Sequence, residues 1–374
     1  MTDHLEQPCD SGATTLVQTQ QPEPASRSPL PGDHPSSAAS LGSAAVAALP
    51  SKTSETPKNH QSYQPRPRLN TWQGQIIDGR YWLKALVGSG GTGRVYSAEQ
   101  LQLGRRCAVK VLHESSGQPC SPQARDRFLA EAAVTARLSC PHTVSIFDFG
   151  FDTNGQPYIA MEYVAGTDLW GLVRKEGHLS DARTLRIAYQ LCKSLREAHG
   201  LGIFHRNIRP RKVIVADVAD QRDFVKLLDF GVAQWAQTPD AEDEEHPGLW
   251  GACTAPEQAL GEEVDGRADI YAVGAIMYLL LTGVVPAKRQ GALVTILGRF
   301  LAPVPPIRSV RPDSTVSKPL ESLVLRCLAR RPERRFQNVE DLMAAMRGVP
   351  GAGAKDSGHY AAQARIGVPR AGTR

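Results

Sequence analysis

Gly88-Ser89-Gly90-Gly91-Thr92-Gly93 and its flanks narrow the possible folds of this chain more than any other stretch. A G-x-G-x-x-G spacing is weak by itself, because a dinucleotide-binding turn shows it too, and that turn opens a helix. Here the run leaves one strand-like stretch, Tyr81-Trp82-Leu83 with Ala85-Leu86-Val87, and enters another, Arg94-Val95-Tyr96-Ser97-Ala98. β-Branched and aromatic residues on both sides read as a hairpin. Glycines at such a turn bring backbone N–H groups close to phosphates. A third strand, Cys107-Ala108-Val109-Lys110-Val111-Leu112, sets one lysine inside an apolar run. A plain glycine hairpin has no use for that lysine.

The rest of the chain divides by composition. Residues 1–75 are rich in Gln, Ser, Pro, Ala and Thr and carry no apolar period, so they read as disordered. Ser28-Pro29 and Thr56-Pro57 in that stretch read as linker chemistry or as phosphosites. Residues 348–374 return to Gly, Ala and scattered Arg and read as a flexible tail. Between them, 121–138 has helical spacing, with Phe128, Ala132, Thr135 and Leu138 on one face. Ser180-Asp181 reads as the cap of a helix carrying Ala188, Leu191, Leu195 and Ala198 and ending at Gly200.

Of 374 residues, 41% are hydrophobic and 22% charged, which is globular composition, and a formal charge of +5 argues for neither nucleic acid nor a membrane surface. Seven cysteines lie scattered without a C-x-x-C pair, which suits free thiols in a reducing compartment. No signal peptide is evident, and the apolar run at 270–285 is short for a membrane span and reads as a buried helix. The expectation is a cytoplasmic protein with neither a nucleic-acid partner nor a membrane span.

Residues 205–214 read His205-Arg206-Asn207-Ile208-Arg209-Pro210-Arg211-Lys212-Val213-Ile214, and Leu228-Asp229-Phe230-Gly231 and Ala255-Pro256-Glu257 follow. Together with the glycine run and Lys110, these motifs resemble the eukaryote-like Ser/Thr protein kinases of bacteria over residues 79–347. The resemblance implies an α+β, two-lobed protein-kinase-like fold. A small β-rich N-lobe (76–164) and a larger helical C-lobe (165–347) would stand between the disordered tails. It implies an ATP site in which Gly88, Gly90, Gly93 and Lys110 meet the phosphates and Glu131 pairs with Lys110. Met161 would be the gatekeeper of a hinge whose Glu162 carbonyl and Val164 N–H meet the adenine edge. Val95, Ala108 and Ile214 would sandwich the ring, and Asp229 would hold Mg²⁺. Glu257 and Arg335 would form a buried pair anchoring the C-lobe.

The chain departs from the family where phosphate is transferred. H-R-D-x-K-P-x-N becomes His205-Arg206-Asn207-Ile208-Arg209-Pro210-Arg211-Lys212. Asn207 is isosteric with Asp, but a neutral amide cannot accept a proton, and general-base catalysis contributes roughly 10²–10⁴-fold. Arg209 keeps a positive charge with a bulkier fork. Lys212 puts a cation at the metal-binding Asn position, so that it either excludes a second metal ion or stands in for it. Relatives carry G-T-x-x-Y-x-A-P-E, whereas Leu249-Trp250-Gly251-Ala252-Cys253-Thr254 precedes Ala255, without the substrate-docking threonine and tyrosine. The acidic run Asp240-Ala241-Glu242-Asp243-Glu244-Glu245 reads as a solvated loop, or as a fixed substitute for a regulatory phosphate pairing with Arg206. The sequence therefore points to a pseudokinase that binds ATP or ADP with one Mg²⁺ and regulates or scaffolds protein partners in signalling. Its alternative is an atypical but active Ser/Thr kinase.

Overall fold

Alternation along one strand sets the layout of the first lobe. In the computed structural model, residues 72–90, 93–112, 122–230, 251–286 and 303–350 are described. Strands β1 (Ile76–Ile77), β2 (Tyr81–Gly90), β3 (Gly93–Gln100) and β4 (Arg105–Leu112) come first, then helix α1 (Pro122–Thr135) and strands β5 (Ile146–Phe151) and β6 (Pro157–Glu162). They pair antiparallel in the order β1-β2-β3-β4-β6-β5. On β4, Cys107, Val109 and Val111 join Tyr81, Leu83, Tyr96, Tyr158 and Ala160 in a core on one face of the sheet. Ala108 and Leu112 face the other way, towards Phe128, Val144, Ile159 and Met161. Lys110 shares the parity of Ala108 and Leu112, and that parity carries its ammonium to the face packed by α1.

Two buried tyrosines in the first core keep their hydroxyls satisfied. Tyr81 donates to Asp148 at 2.9 Å and Tyr158 to Asp78 at 2.9 Å, while Arg80 ties the two carboxylates together. The helical face expected from Phe128, Ala132, Thr135 and Leu138 is the buried face of α1 and its end.

The second lobe begins with β7 (Thr167–Asp168), α2 (Leu169–Glu176) and α3 (Asp181–Gly200). Ser180 caps α3 as expected, its hydroxyl accepting from the Arg183 N–H. A 3₁₀ turn (Pro210–Lys212) leads into β8 (Val213–Val218) and β9 (Gln221–Leu227), which form a three-stranded sheet with β7. Helices α4 (Pro256–Leu260), α5 (Gly266–Thr282), α6 (Ile307–Val310), α7 (Lys318–Cys327) and α8 (Val339–Arg347) complete the described chain. The run at 270–285 accounts for α5: every residue from Ala268 to Leu281 is buried, as expected of a helix that is apolar all round. Among the described residues no helix is long and apolar enough to cross a membrane. The five described cysteines are free thiols.

The expected pair of Glu257 and Arg335 is present. The Arg335 guanidinium, fully buried, donates to both Glu257 carboxylate oxygens at 2.6 and 2.7 Å. Of the expected tails at 1–75 and 348–374, residues 1–71 and 351–374 lie outside the described residues, as do the acidic run at 240–245 and Gly231. Residues 72–75 belong to the first lobe instead, because the Gly74 N–H donates to the Leu83 carbonyl at 2.7 Å, the Gln75 carbonyl accepts from Leu83 at 2.9 Å, and Trp72 packs on the core.

Candidate functional site

The site lies where β4, β9 and the loop after α3 meet. β9 ends at Leu227, whose N–H donates to the His142 carbonyl at 2.8 Å and whose carbonyl accepts from Val144 at 3.0 Å. One residue later the Leu228 N–H donates to the Lys212 carbonyl at 2.9 Å, and the Leu228 carbonyl accepts from His205 Nε2 at 2.9 Å. The 205–212 loop and the Asp229 segment are therefore stitched together by backbone. Asp229 itself takes a left-handed conformation, φ +60°. Such a backbone costs a non-glycine residue on the order of 1–3 kcal/mol and persists only where its surroundings hold it.

Two ammonium groups converge on the Asp229 carboxylate. Lys110 Nζ donates to Oδ2 at 2.9 Å, and Lys212 Nζ stands 3.9 Å from the same oxygen. Burial alone would raise this carboxyl, but the two lysines outweigh it and hold the group well below the usual carboxylate range. At an effective dielectric of about 20, unit charges about 4 Å apart interact by about 4 kcal/mol. Lys212 is thus a substantial electrostatic presence at a position where the family has a neutral metal ligand.

The loop's own geometry is held from below by a residue on α5. Asp269 is 1% exposed, and its two carboxylate oxygens accept from the backbone N–H groups of His205 at 2.9 Å and Arg206 at 2.8 Å. His199 Nε2 lies 2.8 Å from the same carboxylate. Arg206, also left-handed at φ +59°, has its carbonyl held by Gln258 at 2.7 Å. Asp269 stands directly before the apolar run at 270–285, and sequence reasoning gave it no task. The available signal was a carboxylate opening an apolar run, where an unpartnered charge would be costly.

His205 is fully buried and neutral. Its Nδ1 accepts the Asn207 N–H at 3.3 Å, so the ring proton sits on Nε2, which donates to Leu228. Burial pushes this imidazole down to about 4, with Asp269 opposing and Lys212 reinforcing the shift. A histidine depressed from an unfolded value near 6.5 contributes stability that is complete above 6.5 and lost as pH falls towards 4. Unfolding free energy at pH 4.5 is therefore expected to fall by about 2–3 kcal/mol through this group. Denaturant melts at pH 7.5 and 4.5 should show a smaller drop in His205→Gln than in the wild type; equal drops would contradict the assignment.

The remaining expected residues distribute as follows. Val95 and Val164 are half-buried and pack against the core containing Ala108 and Met161, so the candidate ring-binding residues of the first lobe and hinge form one apolar surface. Ile214 comes from β8 opposite Asp168 and abuts the hinge at Gly166, where an added Cβ would stand 2.6 Å from its Cγ2. Gly88 has room around it, but Gly93 does not: at φ +153°, a Cβ there would sit 2.3 Å from the Val111 carbonyl oxygen. At Gly93 the close approach of β3 to β4 demands glycine, apart from any phosphate. Gly90 ends β2, and Gly91 and Thr92 lie outside the described residues. Glu131 belongs to α1, but its side chain lies outside the described residues, as does any pairing with Lys110.

Arg209 is 8% exposed and lies near Cys253, whose thiol burial pushes up to about 12 while the guanidinium opposes the shift. A hinge contact that sequence reasoning missed is the Glu162 carboxylate, which accepts from Lys226 at 2.6 Å and so ties the hinge to β9. The signal was faint, since each residue alone looks like a surface charge.

The donor set fits one divalent ion and not two. Asp229 supplies one carboxylate, and Mg²⁺ is commonly held by one or two carboxylates together with substrate phosphates. The second protein position in the family's pattern is Lys212, which has no lone pair to give while charged.

Comparison with known proteins agrees with this geometry. Residues 81–345 match the model of the protein kinase domain. The serine/threonine-protein kinase pkn3 of Myxococcus xanthus is 36% identical over 291 residues, covering 76% of this chain and 52% of that protein. PknH of Mycobacterium bovis is 33% identical over 270 residues, covering 71% of this chain and 43% of that protein. The chain thus spans about half the length of these relatives, or less. Among solved structures, Rad53 in complex with AMP-PNP is alike in fold, with a TM-score of 0.55 at 23% identity, over 69% of this chain and 62% of that one. A match across residues 81–345 and relatives at these identities establish the family: the chain belongs to the protein kinase domain family, with bacterial serine/threonine kinases among its relatives.

Proposed function

We propose that this chain is a nucleotide-binding pseudokinase, holding ATP or ADP with weak or no phosphotransfer and serving as a regulatory or scaffolding element for protein partners. The observation that carries the reading is the pair of ammonium groups on Asp229, with a neutral amide at Asn207. Positioning and charge stabilisation make up most of kinase catalysis. The positioning half remains in Lys110, Asp229 and the apolar surface of Val95, Ala108, Met161 and Val164. The transfer half is altered at Asn207, Arg209 and Lys212.

Asp229 would hold one Mg²⁺ against the nucleotide phosphates, where the ion neutralises phosphate charge. Lys110 would meet the same phosphates from β4, and the hinge at Glu162 and Val164 would take the adenine edge. AMP-PNP in the Rad53 structure supports a nucleotide as the ligand class. The second reading, an active but atypical Ser/Thr kinase with Arg209 and Lys212 as metal surrogates, draws support from the closeness of Lys212 to Asp229.

A thermal-shift titration tests nucleotide binding, since a ligand specific to the folded state raises its apparent stability. ATP at 100 times its dissociation constant should stabilise the wild type by about 2.7 kcal/mol, and Lys110→Ala should lose most of that gain. No shift at millimolar nucleotide, or an equal shift in Lys110→Ala, would remove the reading.

A further inference from the structure

We propose that Lys212 is a tethered cation that supplies at the nucleotide phosphates the charge a divalent ion would bring, so that the one Mg²⁺ at Asp229 is dispensable and the site also takes metal-free nucleoside di- and triphosphates. This rests on the nucleotide-binding reading above and assigns Lys212 its task within it. Three observations carry it. The residue is placed by backbone: it closes the 3₁₀ turn, its N–H donates to the Arg209 carbonyl at 2.9 Å, and its carbonyl accepts from Leu228 at 2.9 Å. That second bond fixes it one residue from Asp229. Its side chain is 13% exposed, so the ammonium is held within the site. Finally, its Nζ stands 3.9 Å from Asp229 Oδ2, the oxygen that Lys110 hydrogen-bonds at 2.9 Å, so that both ammonium groups converge on one point of the site.

The physical consequence follows from where the charge sits. A metal ion bound with a nucleotide must be recruited from solution and partly dehydrated, so affinity in an ordinary site depends on its concentration. An ammonium on a four-carbon stem is present in every copy of the protein, and its charge acts on phosphate oxygens without recruitment from solution. Removing free metal should therefore cost this site little affinity. Replacing the ammonium with the family's asparagine should restore a metal ligand and make binding depend on metal.

The experiment is calorimetric titration of ATP and of ADP into the full chain, once in millimolar Mg²⁺ and once in EDTA, for the wild type, Lys212→Asn and Lys212→Arg. The readout is the ratio of the dissociation constant in EDTA to that in Mg²⁺. Wild type and Lys212→Arg should show a ratio below about tenfold, and Lys212→Asn one larger again by at least about tenfold, as expected when one strong charge contact is exchanged for a metal-dependent one. Melting of each ligand-free variant checks that it is folded, and the Arg variant keeps the test informative if the Asn variant is not. Equal ratios in wild type and Lys212→Asn overturn the proposal, as does a wild type that binds only with Mg²⁺; both leave nucleotide binding standing. A folded wild type that binds nucleotide in neither buffer overturns the binding reading, and this inference falls with it.

Discussion

Arg335→Ala is expected to destabilise the helical lobe by about 3–5 kcal/mol, the cost of leaving one partner of a buried ion pair uncompensated. Arg335 is fully buried, and all its guanidinium donors are used. Besides the two bonds to Glu257, its Nε donates to the Ala329 carbonyl at 2.8 Å, Nη1 to the Arg267 carbonyl at 3.0 Å and Nη2 to the Arg330 carbonyl at 3.1 Å. The guanidinium also lies 5.0 Å from the centre of the Tyr271 ring. Truncation thus strands the Glu257 carboxylate, 4% exposed, together with three backbone carbonyls. Glu257→Ala should cost a similar amount for the opposite reason, an orphaned guanidinium. The double variant should cost less than the two singles added, because each single already breaks the same pair. Because the pair is buried, added salt should change these differences little. Denaturant unfolding of the four proteins decides the matter. Single-variant losses under about 1 kcal/mol, the range of exposed pairs, would mean that the pair does not anchor the lobe.

Restoring the family's residues should recover activity only in combination. Asn207→Asp returns a carboxylate that can accept the hydroxyl proton, but Lys212 still places a cation 3.9 Å from Asp229, where it competes with metal. Lys212→Asn alone restores a ligand without a base. Each single change should therefore yield little phosphotransfer, and the pair should yield roughly 10²-fold more than either, within the span that general-base catalysis contributes. The altered Leu249-Trp250-Gly251-Ala252-Cys253-Thr254 segment, lacking the docking threonine and tyrosine, sets a ceiling on that gain. Such effects belong to one constellation and are not additive. Radiolabelled ATP with a generic protein acceptor reads the series directly. A wild type that is active and loses activity in Lys212→Asn would instead mark the ammonium as a working metal surrogate and favour the atypical kinase.

Local patterns in the sequence made much of this fold legible. The helix of α3 shows itself through Ser180 and the spacing of Ala188, Leu191, Leu195 and Ala198, all fully buried. The buried α5 announces itself by a run with no polar face. Glu257 and Arg335, 78 residues apart, were legible only because their motifs stand in a known frame. What stayed hidden depends on pairings the chain makes across long separations without a motif to mark them. Asp269 supports the loop 63 residues upstream through backbone N–H groups, which any residue type would offer. Glu162, the last residue of β6, meets Lys226 of β9 from a different sheet, a pairing that no motif marks. On β4 all of Cys107–Leu112 are buried, so hydropathy alone does not reveal which face Lys110 takes. Gly93 invites a phosphate-loop reading from sequence, while its packing against the Val111 carbonyl becomes visible only once β3 and β4 are paired.

The central claim is that the nucleotide-holding half of the site remains while the transferring half does not, and single-turnover phosphotransfer by the wild-type chain tests it most directly. The measurement uses labelled ATP in millimolar Mg²⁺, generic protein acceptors and Asp229→Ala as the control. Turnover at least about 10²-fold below the usual kinase range of about 1–100 s⁻¹, with nucleotide binding retained, is the predicted result. Turnover inside that range, abolished in Asp229→Ala, would contradict it.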